Sequence, residues 1–79
     1  MWIIRGTVTE NEIPVERQVL LYDRTTGALR GQTLSDPSGE YEFQIPESQK
    51  DQLHYVAALD TIGGPYNAQI KDYIQPEEV

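Results

Sequence analysis

The stretch Glu40-Tyr41-Glu42-Phe43-Gln44-Ile45 alternates polar and apolar side chains without a break. Successive side chains of a strand point to opposite faces, so this run reads as a β-strand with one buried and one wet face. No segment of ten or more residues carries the 3.6-residue period of an amphipathic helix. The rest of the chain follows period two. Trp2, Ile4, Gly6 and Val8 share one side of a first strand, with Ile3, Arg5, Thr7 and Thr9 on the other; the polar run Glu10-Asn11-Glu12 and Pro14 end it. Residues 17–24 form a second strand, with Val19 and Leu21 facing one way and Leu20 and Tyr22 the other. Residues 28–34 make a third strand, weakened by Gly31. Residues 53–60 are apolar on both faces, Tyr55, Ala57 and Leu59 against Val56 and Ala58, as expected of a central strand covered on both sides. A last strand over 66–74 places Tyr66, Ala68, Ile70 and Ile74 on one side, with Asp72 among them.

Turn chemistry separates these strands. Thr25-Thr26-Gly27 reverses the chain, Gly27 being free to take positive φ. Asp36-Pro37-Ser38-Gly39 reads as a turn in which Pro37 presets φ, Gly39 closes, and Asp36 accepts hydrogen bonds from nearby amides. Residues 46–52 leave room for one helical turn starting at Pro46. Residues 61–65, Gly- and Pro-rich, form a loop. With 79 residues the chain makes one domain, 1–79. Six or seven short strands divided by turns predict an all-β fold, a small antiparallel β-sandwich of about seven strands.

A chain this small buries roughly 60% of the surface its unfolded form exposes. It has no cysteine, so neither a disulfide nor a thiolate metal site can staple it. Oligomerisation or assembly is then a natural source of further stability. With 13 acidic and 6 basic residues the net charge is −7, and the basic residues are scattered. Phosphate backbones repel such a surface, so no nucleic-acid partner is expected. No apolar run approaches the roughly 20 residues of a membrane span, so no membrane partner is expected either. The apolar opening Met1-Trp2-Ile3-Ile4 is too short for a signal peptide, which predicts synthesis in, and no export from, the cytoplasm.

His54 is the single histidine. A Ser-His-Asp arrangement would need it beside Ser35, Ser38 or Ser48, all of them in turns or loops, and a strand residue at a sheet face or rim is the expected role. One imidazole and no thiolate exclude a zinc site. Asp23, Asp36, Asp60 and Asp72 lie at or near strand ends, where carboxylates from different loops could converge on calcium; the plainer reading is turn formers and edge charges. Asp72, a charge on an apolar face, would guard an edge strand, pair with Arg5 or Arg17, or accept backbone amides. Neither a catalytic constellation nor a cofactor is expected. Tyr22 and Leu20 oppose Val19 and Leu21, so that strand is apolar on both faces, and a sandwich of this size leaves some of that area for a partner. Trp2, Leu20, Tyr22 and Tyr73 are the expected contact residues. An alternative is a ligand loop in which Tyr66 stacks on a sugar or peptide and Asn67 hydrogen-bonds to it.

The order of features carries a resemblance. Ile4-x-Gly6-x-Val8 is followed by Pro14-x-x-Arg17-x-Val19-x-Leu21-Tyr22-Asp23-Arg24-x-Thr26-Gly27, by Ser35-Asp36-x-x-Gly39-x-Tyr41-x-Phe43, by Tyr55-Val56-Ala57-Ala58-Leu59-Asp60, and by Tyr66-Asn67-Ala68-x-Ile70-x-Asp72 with Pro76. Over nearly its whole length the chain resembles the carboxypeptidase-regulatory-like, or transthyretin-like, β-sandwich modules, and is most similar to small modules of this type in tailed-phage virion proteins. The resemblance implies a seven-strand sandwich, transthyretin-like or Ig-like, without catalysis, used as a spacer, decoration or docking module, and it implies that the turn holding Asp36 and Gly39 is a hairpin that fixes register between the strands on either side. It implies a location in the virion, in the tail, baseplate or capsid-decoration layer, reached after synthesis in the host cytoplasm, with other virion proteins as partners. A free-standing copy from Met1 to Val79 is expected to bind a neighbour rather than act as a spacer, as a homo-oligomer or in repeated symmetric copies.

Overall fold

The computed structural model describes residues 1–59 and 68–79, and among them it is all-β, with no α-helix. Nine strands follow one another: β1 (Trp2–Thr7), β2 (Thr9–Glu10), β3 (Ile13–Pro14), β4 (Gln18–Asp23), β5 (Leu29–Leu34), β6 (Glu40–Ile45), β7 (His54–Ala58), β8 (Gln69–Ile74) and β9 (Glu77–Glu78). The count exceeds the expected seven because β2, β3 and β9 are two-residue pairings too short to show periodicity in the sequence. β2 and β3 make a hairpin across Asn11 and Glu12, both at positive φ (51° and 67°). Two successive left-handed residues match the twist of the flanking strands, which is why so tight a turn is possible here. Glu47–Gln49 form a single 3₁₀ turn after Pro46, within the segment predicted for it.

The main strands form two antiparallel sheets, one ordered β6-β1-β9 and one ordered β5-β4-β7-β8. The core between them holds Ile4 and Val8, Tyr41, Phe43 and Ile45 from one side, and Val19, Leu21, Val56 and Ala58 from the other. The two layers make a small β-sandwich-like body. Each large apolar side chain buried there contributes about 1.5–3 kcal/mol relative to exposure. The alternation of β6 appears as predicted: Tyr41, Phe43 and Ile45 are buried, and Glu40, Glu42 and Gln44 are exposed. Gly6 is a packing requirement, because the Tyr41 ring lies over it; a Cβ there would come within 2.7 Å of Tyr41 Cζ. Ile3, on the side of β1 opposite Ile4, is also buried. β1 is the middle strand of its sheet, paired with β6 on one side and β9 on the other.

The Asp36 turn differs most from expectation. Asp36 Oδ1 accepts from the amides of Ser38 and Glu40 (2.9 Å each), and the Gly39 amide donates to the Asp36 carbonyl (2.8 Å). The local chemistry is as read, but the strands on either side do not pair: β5 belongs to the four-stranded sheet and β6 to the three-stranded one. The turn is a corner between layers. Gly39, at φ 77°, secures it; its carbonyl accepts from the Val8 amide (2.7 Å), and a Cβ would collide with the Val8 carbonyl oxygen. Register in β6 is set by β1, through pairs such as Ile4 with Phe43.

Candidate functional site

β4 and β7 are the inner strands of the four-stranded sheet, and alternation divides their side chains cleanly. Val19, Leu21 and Asp23 of β4 point into the core, as do His54, Val56 and Ala58 of β7. Leu20 and Tyr22, Tyr55 and Ala57 therefore point outward, where all four are half-buried. Residues 53–60 were expected to be covered on both faces; only the inner face is covered, because nothing in the described chain lies over the outer side. Register aligns the outward side chains into two rows. Leu20 of β4 stands between Gln32 of β5 and Ala57 of β7, and Ala57 is followed by Ile70 of β8. In the next row Tyr22 stands between Leu29 and Tyr55. Ile70 is 68% exposed and Leu29 57%.

Polar contacts frame this apolar surface. The Tyr22 and Tyr55 rings stack at 4.9 Å with 14° between their planes. At one margin Arg24 Nε donates to Asp72 Oδ1 (2.8 Å), and its guanidinium lies 3.8 Å from the centre of the Tyr73 ring. The Arg24 hydrogen bond, with help from the Tyr73 amide, holds the Asp72 carboxyl below its ordinary range. Of the roles expected for Asp72, it does accept a backbone amide, that of Tyr73 (2.8 Å), on an edge strand; its arginine partner is Arg24 and not Arg5 or Arg17, because β4 and β8 both flank β7. Toward the other margin Gln18 Nε2 donates to Gln32 Oε1 (3.2 Å).

The expected contact residues divide. Leu20 and Tyr22 lie together on this face, and the 65%-exposed Tyr73 stands at its margin. Trp2 is on the other sheet, packed against the core, with Nε1 donating to Glu47 Oε2 (2.8 Å) and Lys50 Nζ 5.5 Å from its ring centre. Ile70 and Ile74 were expected to share a side of the last strand, but a register shift and the left-handed Tyr73 (φ 57°) intervene. An irregularity of that kind breaks period two, so Ile74 packs against the core while Ile70 faces outward. Leu29, Tyr55 and Ile70 were missed as members of this face, since only cross-strand register reveals them. Tyr66, Asn67 and Asp60 lie outside the described residues.

The remaining candidates are absorbed by structure. Asp23, nearly buried, accepts from the amides of Thr25 (2.8 Å) and Thr26 (3.1 Å) at Oδ1 and from Arg30 Nη2 (3.0 Å) at Oδ2. A bulge makes the last contact possible: Leu21 pairs with Gly31 and Tyr22 with Leu29, so the skipped Arg30 is free to reach it. The Thr26 amide, foremost, and Arg30 hold the Asp23 carboxyl below its usual value. Among the described residues no group of three or more His, Asp or Glu side chains gathers in ligating geometry.

Ser35 is buried beside Arg17; its Oγ donates to the Val15 carbonyl (2.7 Å) and accepts from the Arg17 amide (2.8 Å). That places it at the opposite end of β4 from Asp23, whose register partner is His54. His54 was expected at a sheet face or rim. It is fully buried on the inner face, with no hydrogen-bond partner at either ring nitrogen among the described residues, and burial pushes its pKa down. Comparison with protein-family models, with curated proteins and with solved structures finds no match.

Proposed function

We propose that this chain is a non-enzymatic structural component of a phage virion, in the tail, baseplate or capsid-decoration layer, and that it docks to neighbouring virion proteins through the outer face of its four-stranded sheet. The observation that carries the docking role is the pair of apolar rows, Leu20-Ala57-Ile70 and Leu29-Tyr22-Tyr55, which no other described residue covers on one side of a two-layer body. Contiguous apolar surface of this kind gains free energy when a neighbour excludes water from it. The virion setting rests on the sequence resemblance to transthyretin-like modules of tailed phages, and the finer fold type, a transthyretin-like sandwich, belongs to the same proposal. A scaffold role also accounts for the way its reactive side chains are used: Ser35, Asp23 and Asp72 hold backbone and arginine partners.

The reading is tested by mass spectrometry of density-purified phage particles from cells that encode the chain. Its peptides are expected at a fixed ratio to a major virion protein, and a Leu20→Lys copy is expected to be left behind in the lysate. Particles that lack the chain, or that take up Leu20→Lys as fully as the natural sequence, overturn it.

A further inference from the structure

Charge is distributed unevenly over the two outer faces. Glu40 and Glu42 of β6 and Glu77 of β9 are exposed on the three-stranded sheet, where Arg5 pairs with Glu77 at 2.7 Å. On the four-stranded sheet the marginal charges Arg24 and Asp72 neutralise each other at 2.8 Å, and the rows between the margins carry no charge. A chain of net charge −7 repels its own copies through most of its surface. The neutral apolar face is where that repulsion is least.

We infer that a second copy of this chain covers this surface, the two four-stranded sheets packing face to face across a two-fold axis; this rests on the docking role proposed above. A two-fold contact uses one patch twice, so the patch must tolerate its own image. Uncharged rows of Leu, Ala, Ile and Tyr do so, whereas the Glu-bearing face does not. Sheets pack about 10 Å apart, so a four-layer stack holds the two acidic faces on the order of 30 Å from one another. That is several times the screening length of about 8 Å at physiological salt. Four strands spaced about 4.8 Å, with six residues at about 3.3 Å each, span a plane of roughly 19 by 20 Å. Covering it on both copies removes on the order of 1,000 Å² from water, the lower bound for a specific interface. An interface of this size belongs with the weak, transient ones.

Sedimentation velocity from about 5 µM to 1 mM tests this. The natural chain is expected to pass from monomer to dimer, and Leu20→Lys with Ile70→Lys to weaken the dimer more than 10-fold, while Glu42→Gln leaves it intact or tightens it. A chain still monomeric at 1 mM, or a dimer indifferent to the two lysines, overturns the inference. Should the lysine variant fail to fold, amide chemical shifts of the natural chain decide: concentration-dependent changes are expected at Leu20, Tyr22, Ala57 and Ile70, and changes confined to β1 and β6 overturn it. A monomeric chain that enters particles only with Leu20 intact overturns self-pairing and leaves the docking role standing. A Leu20-dependent dimer absent from particles upholds the pairing and removes the virion setting.

Discussion

The two sheets bury similar inner faces and present opposite outer ones. The β6-β1-β9 layer turns Glu40, Glu42, Gln44 and Glu77 to solvent; the β5-β4-β7-β8 layer turns out Leu20, Leu29, Tyr22, Tyr55 and Ile70. Both layers obey the same alternation, so the difference is not forced by folding. The core needs one apolar face per sheet and is indifferent to the other. An acidic outer face keeps the molecule dissolved. An apolar outer face gives up some of that solubility and is worth retaining only against a partner. The contrast between the layers is the ground on which the proposed docking role falls to one of them.

The largest expected effect separates inner from outer aromatic side chains. Phe43→Ala empties the core beside Gly31 and is expected to cost about 3–5 kcal/mol. Tyr22→Ala removes a half-exposed ring and its stack on Tyr55 and is expected to cost only about 1 kcal/mol, while abolishing docking. Urea unfolding of both variants checks this; equal losses would mean that the outer face is as much a part of the core as the inner one.

The next effect comes from beneath the apolar face. Loss of water around the buried His54 imidazole lowers its pKa, and the nearby Gln52 backbone and Asp23 carboxylate offset only part of that; the Arg30 guanidinium adds to the lowering. A group whose folded pKa lies below its unfolded value of about 6.5 binds protons more readily in the unfolded chain. Its contribution to stability is therefore complete above about pH 6.5 and is lost as pH falls from there toward the depressed folded value. Thermal melts are expected to decline over that interval in the natural chain and to stay flatter in His54→Leu. Parallel curves would exclude this histidine as the acid-sensitive point. Asp23 and Asp72, both with lowered pKa values, add a separate loss at more acidic pH, which begins where an ordinary carboxylate titrates and is complete once pH has fallen through their lowered native values.

The smallest effect belongs to the acidic layer. Glu77→Gln breaks the exposed Arg5 pair and is expected to cost less than about 1 kcal/mol, a loss that vanishes in high salt. A larger, salt-independent loss would show that β9 is held by that pair and not by its backbone bonds to β1.

Much of this was legible in the sequence, for physical reasons that also mark where legibility ends. The period-two runs around Val19 and Phe43 gave the all-β class, because burial of one strand face leaves a mark every second residue. The turn at Asp36 was readable as a turn, since the amide-accepting carboxylate and the left-handed Gly39 are local. Which sheets that turn joins is not local, and so a corner looked like a hairpin. Period two also fails wherever the ladder slips. The β8 irregularity hid the outward turn of Ile70, and the β5 bulge hid the reach of Arg30 to Asp23. Leu20 and Tyr22 could be named because they sit on a strand apolar on both sides. Leu29 and Tyr55 join them only through register, and Trp2, apolar and near an end, lies on the other sheet, partly buried against the core.

β9 returns along β1, so the first and last residues meet: the Val79 amide donates to the Met1 carbonyl at 2.9 Å. Entry and exit of the chain thus share one point, on the acidic layer. A body wired this way can be grafted as a guest into a surface loop of some host protein through two short tethers, because no stretch of polypeptide has to span it. The graft would hang by its charged side and leave the greasy side pointing away, free to grip.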